Sequence, residues 1–93
     1  MALAVALSLL ESQMKARVYV TLKPSVFDPQ GHVVAEALVT LGYQDVKDVR
    51  QGKFFEVELA DADPATAKAR VTEMADKLLA NPVIESYRVE VLQ

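Results

Sequence analysis

The chain has 93 residues, of which 52% are hydrophobic and 25% are charged, and its net charge at pH 7 is −3. This length suits one folded domain, and the composition is typical of a globular protein. The sequence contains no cysteine, which excludes disulfides, thiolate metal ligands and a cysteine nucleophile. The slight negative charge argues against a nucleic-acid-binding surface. Because so small a domain has a modest core, oligomerisation or a partner is its usual source of extra stability.

The first thirteen residues differ from the rest and are mostly apolar, with no basic residue before Lys15. The apolar run is shorter than the roughly 20 residues that cross a bilayer, so no membrane span is predicted. It also lacks the positively charged start of a secretory signal. We therefore predict an N-terminal extension over residues 1–13 and a single cytoplasmic domain over residues 14–93.

The predicted domain begins with a strand. Residues 15–23 alternate strictly, with small or aliphatic side chains at the even positions from Ala16 to Leu22. This period of two predicts a half-buried strand. Pro24 ends the strand because proline has no N–H for the hydrogen-bond ladder.

A first helix is predicted from about Pro29 to Leu41. Asp28 is a favoured N-cap residue, and proline is favoured at the first helical position. Gly42 follows as the residue that ends the helix in a left-handed conformation. The apolar stripe expected to face the core, at helical spacing, contains Val33, Val34, Ala37, Leu38 and Leu41.

Two further strands are predicted after this helix. Val46–Arg50 and Phe54–Leu59 have strand composition, and Gln51–Lys53 between them is typical of a glycine-bearing hairpin. The core-facing residues of the later strand are expected to be Phe55, Val57 and Leu59.

A second helix starts at Asp63-Pro64 and ends at Asn81-Pro82, by the same capping and proline rules. Its predicted core stripe contains Ala67, Val71, Met74, Leu78 and Leu79. A last strand runs from Ile84 to Leu92, with inward residues Tyr87, Val89 and Val91.

The order β-α-β-β-α-β favours an α+β fold with a four-stranded, mainly antiparallel sheet and two helices on one face. The opposite sheet face is mostly charged with two aromatic side chains, and two interpretations stay open for it: a solvated face or a subunit contact. Free edge strands would also permit sheet extension between chains. The residues of this open face are Arg17, Tyr19, Phe54, Glu56, Glu58, Arg88 and Glu90.

Reactive chemistry is sparse. The one histidine, His32, has no evident second ligand or triad partner, so a solvated helical residue is the favoured interpretation. No serine lies in a nucleophile-elbow pattern, and the three glycines are too far apart for a phosphate-binding loop. Asp28 and Asp63 have cap roles available. We therefore predict no catalytic residue, no metal site and no cofactor bound by this chain.

The most informative stretch is the connection from the first strand to the first helix, Val20–Gly31, which reads VTLKPSVFDPQG. With Leu41–Tyr43, Val46–Lys53 and Asn81–Arg88, it closely resembles the PurS family of subunits of bacterial phosphoribosylformylglycinamidine synthase. The resemblance covers about Met14 to Leu92, with several segments in the right order.

The resemblance implies a non-catalytic accessory subunit that joins a glutaminase subunit to a large synthetase subunit in de novo purine synthesis. The assembled enzyme converts formylglycinamide ribonucleotide, ATP, glutamine and water to formylglycinamidine ribonucleotide, ADP, phosphate and glutamate. ATP and magnesium would be used by the synthetase partner. Family members form dimers, so a homodimer or a higher homo-oligomer is expected.

The small subunit is further expected to support the transfer of ammonia from the glutaminase to the synthetase. Ammonia in neutral water is mostly ammonium, which is not nucleophilic, so a junction that excludes water is needed. A rigid connector can provide such a junction by positioning alone.

Two partner-binding surfaces are predicted, one in the connection before the first helix and one at the hairpin. Ordinary turn and cap chemistry is the alternative explanation for the same residues. The first surface contains Lys23, Ser25, Asp28, Pro29, Gln30 and Gly31, and the second contains Arg50, Gly52 and Lys53.

Two other functions fit the same order of elements. A regulatory module that binds an amino acid between subunits would need a glycine-bearing loop after the first strand, whereas Gly31 falls inside the predicted helix. A stand-alone phosphate-ester hydrolase would need an arginine in an anion-binding loop, and no arginine lies between Arg17 and Arg50.

Overall fold

The computed structural model of the protein describes residues 13–60 and 63–92. The extension predicted over residues 1–13 lies outside these ranges, apart from Gln13, the first residue of a strand. The elements in chain order are β1 Gln13–Leu22, α1 Pro29–Thr40, β2 Gly52–Ala60, α2 Pro64–Met74 followed by a π-helical turn Ala75–Leu79, and β3 Glu85–Leu92.

The sheet places β1 at its centre, between β2 and β3, and both pairings are antiparallel. Val18 of β1 lies opposite Phe55 of β2 and Val89 of β3. Successive side chains of a strand point to opposite faces, so the even-numbered residues of β1 share one face. On that face Ala16 and Val18 are completely buried, which confirms the predicted inward pattern of β1.

The predicted four-stranded sheet is wrong, because the described residues form three strands. Val46–Arg50 is not a strand, and Gly52 is not in a hairpin turn but pairs with Thr21 as part of β2. The backbone N–H of Gln51 donates to the Asp28 carboxylate at 2.7 Å. This bond holds the chain beside the β1–α1 loop, so the segment before β2 does not fold back along β2.

Helix α2 starts as predicted and packs on β1 and β3. The Asp63 carboxylate accepts a hydrogen bond from the N–H of Thr66, which satisfies one of the free donors of the first turn. The buried side of the helix contains Ala67 and Val71, and its apolar contacts stabilise the sheet face that it covers.

One residue of the predicted α2 stripe is misplaced, and a π-turn is the reason. The N–H of Ala80 donates to the carbonyl of Ala75 at 2.9 Å, a bond that spans five residues instead of four. The extra residue rotates the helix end, so Ala75 and Ala80 are buried while Leu78 is 83% exposed. The prediction that Leu78 faces the core is therefore wrong.

Helix α1 has the predicted bounds to within one residue. Gly42 has a φ of 109°, which a side chain would strain. The N–H of Gly42 donates to the carbonyl of Val39 and that of Tyr43 to the carbonyl of Leu38, as in a Schellman motif. No helix in the described ranges has the length and apolar content that a bilayer span requires.

The predicted placement of both helices on one sheet face is wrong for α1. Unlike α2, it makes no extensive contact with any strand of the described chain. Its predicted core stripe is largely exposed, with Val33 at 62% and Leu41 at 73%. Helix α1 and the segment after it, residues 29–51, form what we call the arm, and the three strands with α2 form the body.

The open face of the sheet, opposite α2, carries the predicted charged and aromatic residues in register. Arg17 of β1 lies opposite Glu56 and Glu90, with nitrogen–oxygen distances of 3.5 and 3.7 Å. The Tyr19 and Phe54 rings lie 5.3 Å apart. These cross-strand pairs account for the stability of an exposed face, and each contributes a few tenths of a kcal/mol to about 1 kcal/mol.

Candidate partner-binding site

Asp28 connects the start of α1 to the segment before β2. Its side chain is buried, and its two carboxylate oxygens accept separate bonds, from the N–H of Gly31 at 2.9 Å and from the N–H of Gln51 at 2.7 Å. The first bond is the predicted N-cap interaction, and the second is long-range. These two N–H donors, helped by the positive charge of Arg50, lower the pKa of the Asp28 carboxyl group.

Arg50 fixes the β1–α1 loop through backbone oxygens. Its Nη2 atom donates to the carbonyls of Lys23 and Val26, each at 2.9 Å, with a longer contact of 3.4 Å to the carbonyl of Leu22. A guanidinium is always charged and presents several donors in a fixed plane, which suits it to gathering carbonyl groups. The loop also bonds to the segment before β3, because the N–H of Lys23 donates to the carbonyl of Ile84 at 2.8 Å.

Two glycines allow the backbone to approach closely at this place. A Cβ atom on Gly31 would lie 2.1 Å from the carbonyl oxygen of Val49, and one on Gly52 would lie 2.3 Å from that of Val20. Neither position therefore admits a larger residue without movement of the backbone. We use the name loop junction for four residues: Asp28, Gly31, Arg50 and Gln51. Gly52, the first residue of β2, is not part of it.

A cleft of about 230 Å³ lies beside the loop junction, on the sheet face that α2 leaves uncovered at this end. One wall is an ion pair between Lys53 and Glu85, with 3.3 Å between nitrogen and oxygen. Glu85 also accepts the N–H of Asn81 at 2.7 Å, and this bond, with Lys53, lowers the pKa of the Glu85 carboxyl group. The residues that line the cleft are Val20, Thr21, Leu22, Asp28, Gln30, Gln51, Gly52, Lys53 and Glu85.

The arrangement is suited to binding and not to proton transfer. Asp28 and Glu85 are both held as carboxylates by backbone N–H donors, which makes them poor general bases at neutral pH. Within the described ranges, no group of three or more His, Cys, Asp and Glu side chains could hold a metal ion. His32 is exposed on α1 and forms a 2.8 Å contact with Glu36, as expected of a solvated helical residue.

The two surfaces predicted separately lie together in the structure. Asp28, Gly31 and Arg50 belong to the loop junction, and Gln30 accepts a hydrogen bond from the side chain of Gln51 at 3.0 Å. The remaining predicted site residues lie on its periphery: Lys23, Ser25 and Pro29 in the loop and at the helix start, and Gly52 and Lys53 at the start of β2.

Sequence reasoning missed two residues of this site. Gln51 was expected in a hairpin turn, and Glu85 was not singled out. The signal available for Glu85 was the alternation of β3, which places this acidic residue on the inward face at the start of the strand, beside Tyr87. The sequence contains no local signal for Gln51, because its bond to Asp28 is made by the backbone N–H and not by the side chain.

The chain from residue 15 to residue 93 matches the family model described as PurS, phosphoribosylformylglycinamidine (FGAM) synthase. A relative from Bacillus subtilis, phosphoribosylformylglycinamidine synthase subunit PurS, is 51% identical over 77 residues, which cover 83% of this chain and 90% of that protein.

Solved structures of PurS subunits are also similar to this chain. The crystal structure of Methanocaldococcus jannaschii PurS, described as one of the subunits of formylglycinamide ribonucleotide amidotransferase in the purine biosynthetic pathway, is 38% identical with a TM-score of 0.77 over 86% of this chain and 96% of that one. A chain of the structure of PurLQS from Thermotoga maritima is 30% identical, with a TM-score of 0.78 over 86% of this chain and 98% of that one. The chain therefore belongs to the PurS family of phosphoribosylformylglycinamidine synthase subunits.

Proposed function

We propose that this chain is the small, non-catalytic subunit of a phosphoribosylformylglycinamidine synthase in the cytoplasm, where it joins a glutaminase subunit to a large synthetase subunit. ATP and magnesium would be bound by the synthetase partner. Membership of the PurS family supports this proposal, as does the similarity to a chain of the PurLQS structure. The observation in the molecule itself that carries it is the loop junction, which gives an exposed loop a fixed shape.

The proposed contact surface is the outside of the β1–α1 loop. Pro24, Ser25 and Phe27 are exposed there, while Arg50 and Asp28 hold the backbone beneath them. A loop that is already ordered loses little conformational freedom on association, so more of the contact energy appears as affinity. The same rigidity would let the subunit support ammonia transfer, by keeping the two larger subunits in one relative position.

The chain would act as a homodimer or a higher homo-oligomer. The exposed apolar stripe of α1, with Val33 and Leu41, supports this, because unpartnered apolar surface of this kind marks association sites. Sedimentation of the purified chain across a range of concentrations measures its mass, and a monomer at all concentrations would contradict this part of the proposal.

Reconstitution tests the assembly role. The chain is mixed with the glutaminase and synthetase subunits, and the mass of the complex and the glutamine-dependent amidation rate are measured with and without it. We expect Ser25→Trp, in the exposed loop, to weaken assembly by about tenfold, which corresponds to about 1.4 kcal/mol. The matched control Ala69→Trp lies on the exposed side of α2 and should assemble as the parent chain does.

A second rate separates ammonia transfer from assembly alone. With ammonium salt in place of glutamine, the synthetase needs no transfer from the glutaminase. We expect the small subunit to raise the glutamine-dependent rate and to leave the ammonia-dependent rate nearly unchanged. An equal increase of both rates would count against a role in transfer, and the absence of any complex would remove the whole proposal.

A further inference from the structure

We propose that one end of the open sheet face binds a phosphate monoester, and that a nucleoside 5′-monophosphate is the form it holds best. The phosphate lies against the guanidinium of Arg50 and the hydroxyl groups of Thr21 and Ser86, and the base lies on the neighbouring aromatic side chains. The site goes beyond the proposed function, because it needs no other subunit. It shares Arg50 with the loop junction but occupies the other face of the sheet from Lys53 and Glu85.

The floor of this site is formed by one residue from each strand. Thr21 of β1 is paired with Gly52 of β2 on one side and with Ser86 of β3 on the other. A Cβ atom on Gly52 would lie 2.7 Å from the methyl carbon of Thr21, so no side chain other than hydrogen fits beside the threonine. A cavity of about 420 Å³ opens here, and its lining residues are Thr21, Leu22, Pro24, Asp48, Arg50 and Ser86.

The next row of the open face is taller and bounds the cavity on the side of the aromatic residues. Tyr19 is paired there with Phe54 and with Arg88, two residues along each strand from the floor. The guanidinium carbon of Arg88 lies 4.3 Å from the centre of the Tyr19 ring, and the Tyr19 and Phe54 rings are 5.3 Å apart. The cavity is therefore placed between a fixed arginine at the end of β1 and a row of large flat side chains.

This end of the open face is positively charged, although the chain as a whole has a net charge of −3. Arg17, farther along the same face, is neutralised by Glu56 and Glu90. By contrast, Arg50 and Arg88 make no ion pair within residues 13–60 and 63–92. An anion is the ligand that this pair of arginines would attract.

Arg50 is already held in position for such a ligand. The hydrogen bonds from its side chain to the described residues all come from Nη2, so Nε and Nη1 can donate to a phosphate. Guanidinium groups bind phosphate oxygens through two donors in one plane, and the bound carbonyls fix the direction of that plane. The hydroxyl groups of Thr21 and Ser86 can each donate one further hydrogen bond.

The aromatic row gives the reason for a preference for nucleotides over inorganic phosphate. Two residues along a strand correspond to about 7 Å, so a planar group joined to the phosphate through a sugar reaches the row that contains Tyr19 and Phe54. Phe54 is 54% exposed, which leaves ring surface available for stacking. Bases stack on aromatic side chains without strong sequence preference, because every base has a flat π-face.

Asp48 limits the affinity of the site. Its carboxylate also lines the cavity and repels a phosphate dianion. Binding in the range below about 1 mM is therefore expected, and not the much tighter binding of an enclosed phosphate loop. The same repulsion supplies a substitution that should strengthen binding, which a general loss of structure would not do.

Titration of the full 93-residue chain tests the site, with adenosine 5′-monophosphate, inorganic phosphate and adenosine as separate probes and amide chemical shifts as the readout. We expect adenosine 5′-monophosphate to bind with a Kd below about 1 mM and each of the other two probes to bind at least about fivefold more weakly. The absence of saturable binding by adenosine 5′-monophosphate up to about 10 mM would overturn the proposal. Equal affinities for it and for phosphate would overturn the placement of the base.

Two substitutions of Ser86 separate the effect of charge from that of size. Ser86→Asp places a carboxylate beside Arg50 and should weaken the binding of adenosine 5′-monophosphate by about tenfold or more. Ser86→Asn is the matched control, of similar size and without the charge, and should stay within about threefold of the parent chain. Equal affinities of the two variants would place the ligand elsewhere and overturn the proposal.

Two further substitutions act in different directions. Asp48→Asn should tighten the binding of both phosphate probes by about threefold, whereas Asp45→Asn, exposed and outside the cavity, should not change it. Phe54→Leu should weaken only adenosine 5′-monophosphate, by about fivefold, and leave inorganic phosphate unchanged. Weaker binding in Asp48→Asn, or an equal loss of both probes in Phe54→Leu, would contradict the geometry. The larger subunits take no part in these titrations, so the assembly role is tested independently by reconstitution.

Discussion

The body and the arm have equally clear sequence patterns, but only the body satisfies its pattern within one chain. In the body, the apolar positions of β1 and α2 are buried against each other. In the arm, the apolar stripe of α1 is exposed, and the strand-like segment after it has no partner in the described chain. An amphipathic pattern therefore predicts that a face is buried, but it does not specify whether the same chain or another one buries it.

The largest expected effect comes from the base of the arm, where the start of α1 meets the end of the segment that follows it. Gly31→Ala would put a Cβ atom 2.1 Å from the carbonyl oxygen of Val49, so the arm could not keep its position. We expect a loss of about 3 kcal/mol in the free energy of unfolding, measured in urea. Gly42→Ala is the control: it meets no atom within 4 Å, and its positive φ should cost about 1 kcal/mol. Similar losses for both glycines would show that the contact at Gly31 is unimportant.

The next effect contrasts a valine of the body with a valine of the arm. Val18 is fully buried, so Val18→Ala removes buried methyl groups and leaves a cavity, and should cost about 2 kcal/mol of unfolding free energy. Val33→Ala should cost less than about 0.5 kcal/mol when measured at protein concentrations low enough to prevent association. If the two losses are equal under those conditions, α1 is packed within its own chain and the distinction between arm and body fails.

A smaller effect is expected at Arg50, whose loss should loosen the loop without unfolding the body. Arg50→Met keeps the length of the side chain and removes the donors to the carbonyls of Lys23 and Val26. We expect hydrogen exchange at the amides of Val26 and Gln51 to accelerate by about tenfold. Arg70→Met, on α2, should change neither amide, and unchanged exchange in Arg50→Met would contradict the role assigned to the guanidinium.

The smallest effect is on acid stability. The pKa of Asp28 is lowered in the folded state by the N–H groups of Gly31 and Gln51. The unfolded state therefore binds more protons, so the stability from this group is present above its ordinary pKa of about 3.9 and is lost as the pH falls through the lower folded value. The free energy of unfolding, measured in urea from pH 2 to 6, should change less with pH for Asp28→Asn than for the parent chain. An identical dependence would mean that Asp28 is not held as a carboxylate.

Local signals in the sequence predicted much of this fold. The caps at Asp28 and Asp63 and the stop at Gly42 depend on a few neighbouring residues, so the bounds of α1 and the start of α2 were correct. The face of β1 was correct because alternation is also local. The π-turn after α2 was not predicted, since nothing in the composition of Ala75–Leu79 distinguishes it from an ordinary helix end.

What the sequence did not specify depends on distant contacts. Val46–Arg50 has strand composition, but its place is decided by the bond from Gln51 to Asp28, which are 23 residues apart. The site residues at Asp28 and Arg50 were predicted as members of two surfaces, and only the folded chain shows that they form one loop junction. For the same reason the exposed stripe of α1 was assigned to the core of its own chain.

Among the described residues, the hydrogen bonds donated by the Arg50 side chain all go to main-chain oxygens, so the side chains of the loop can vary without loss of these bonds. The carbonyls that it gathers, from Leu22, Lys23 and Val26, are present whatever side chains those positions carry. Substitutions there can alter the charge and shape of the outer surface while the path of the chain underneath is preserved. With the partner-binding role proposed above, a loop supported in this way could adapt to a changed partner by single replacements, without a change in the path of its backbone.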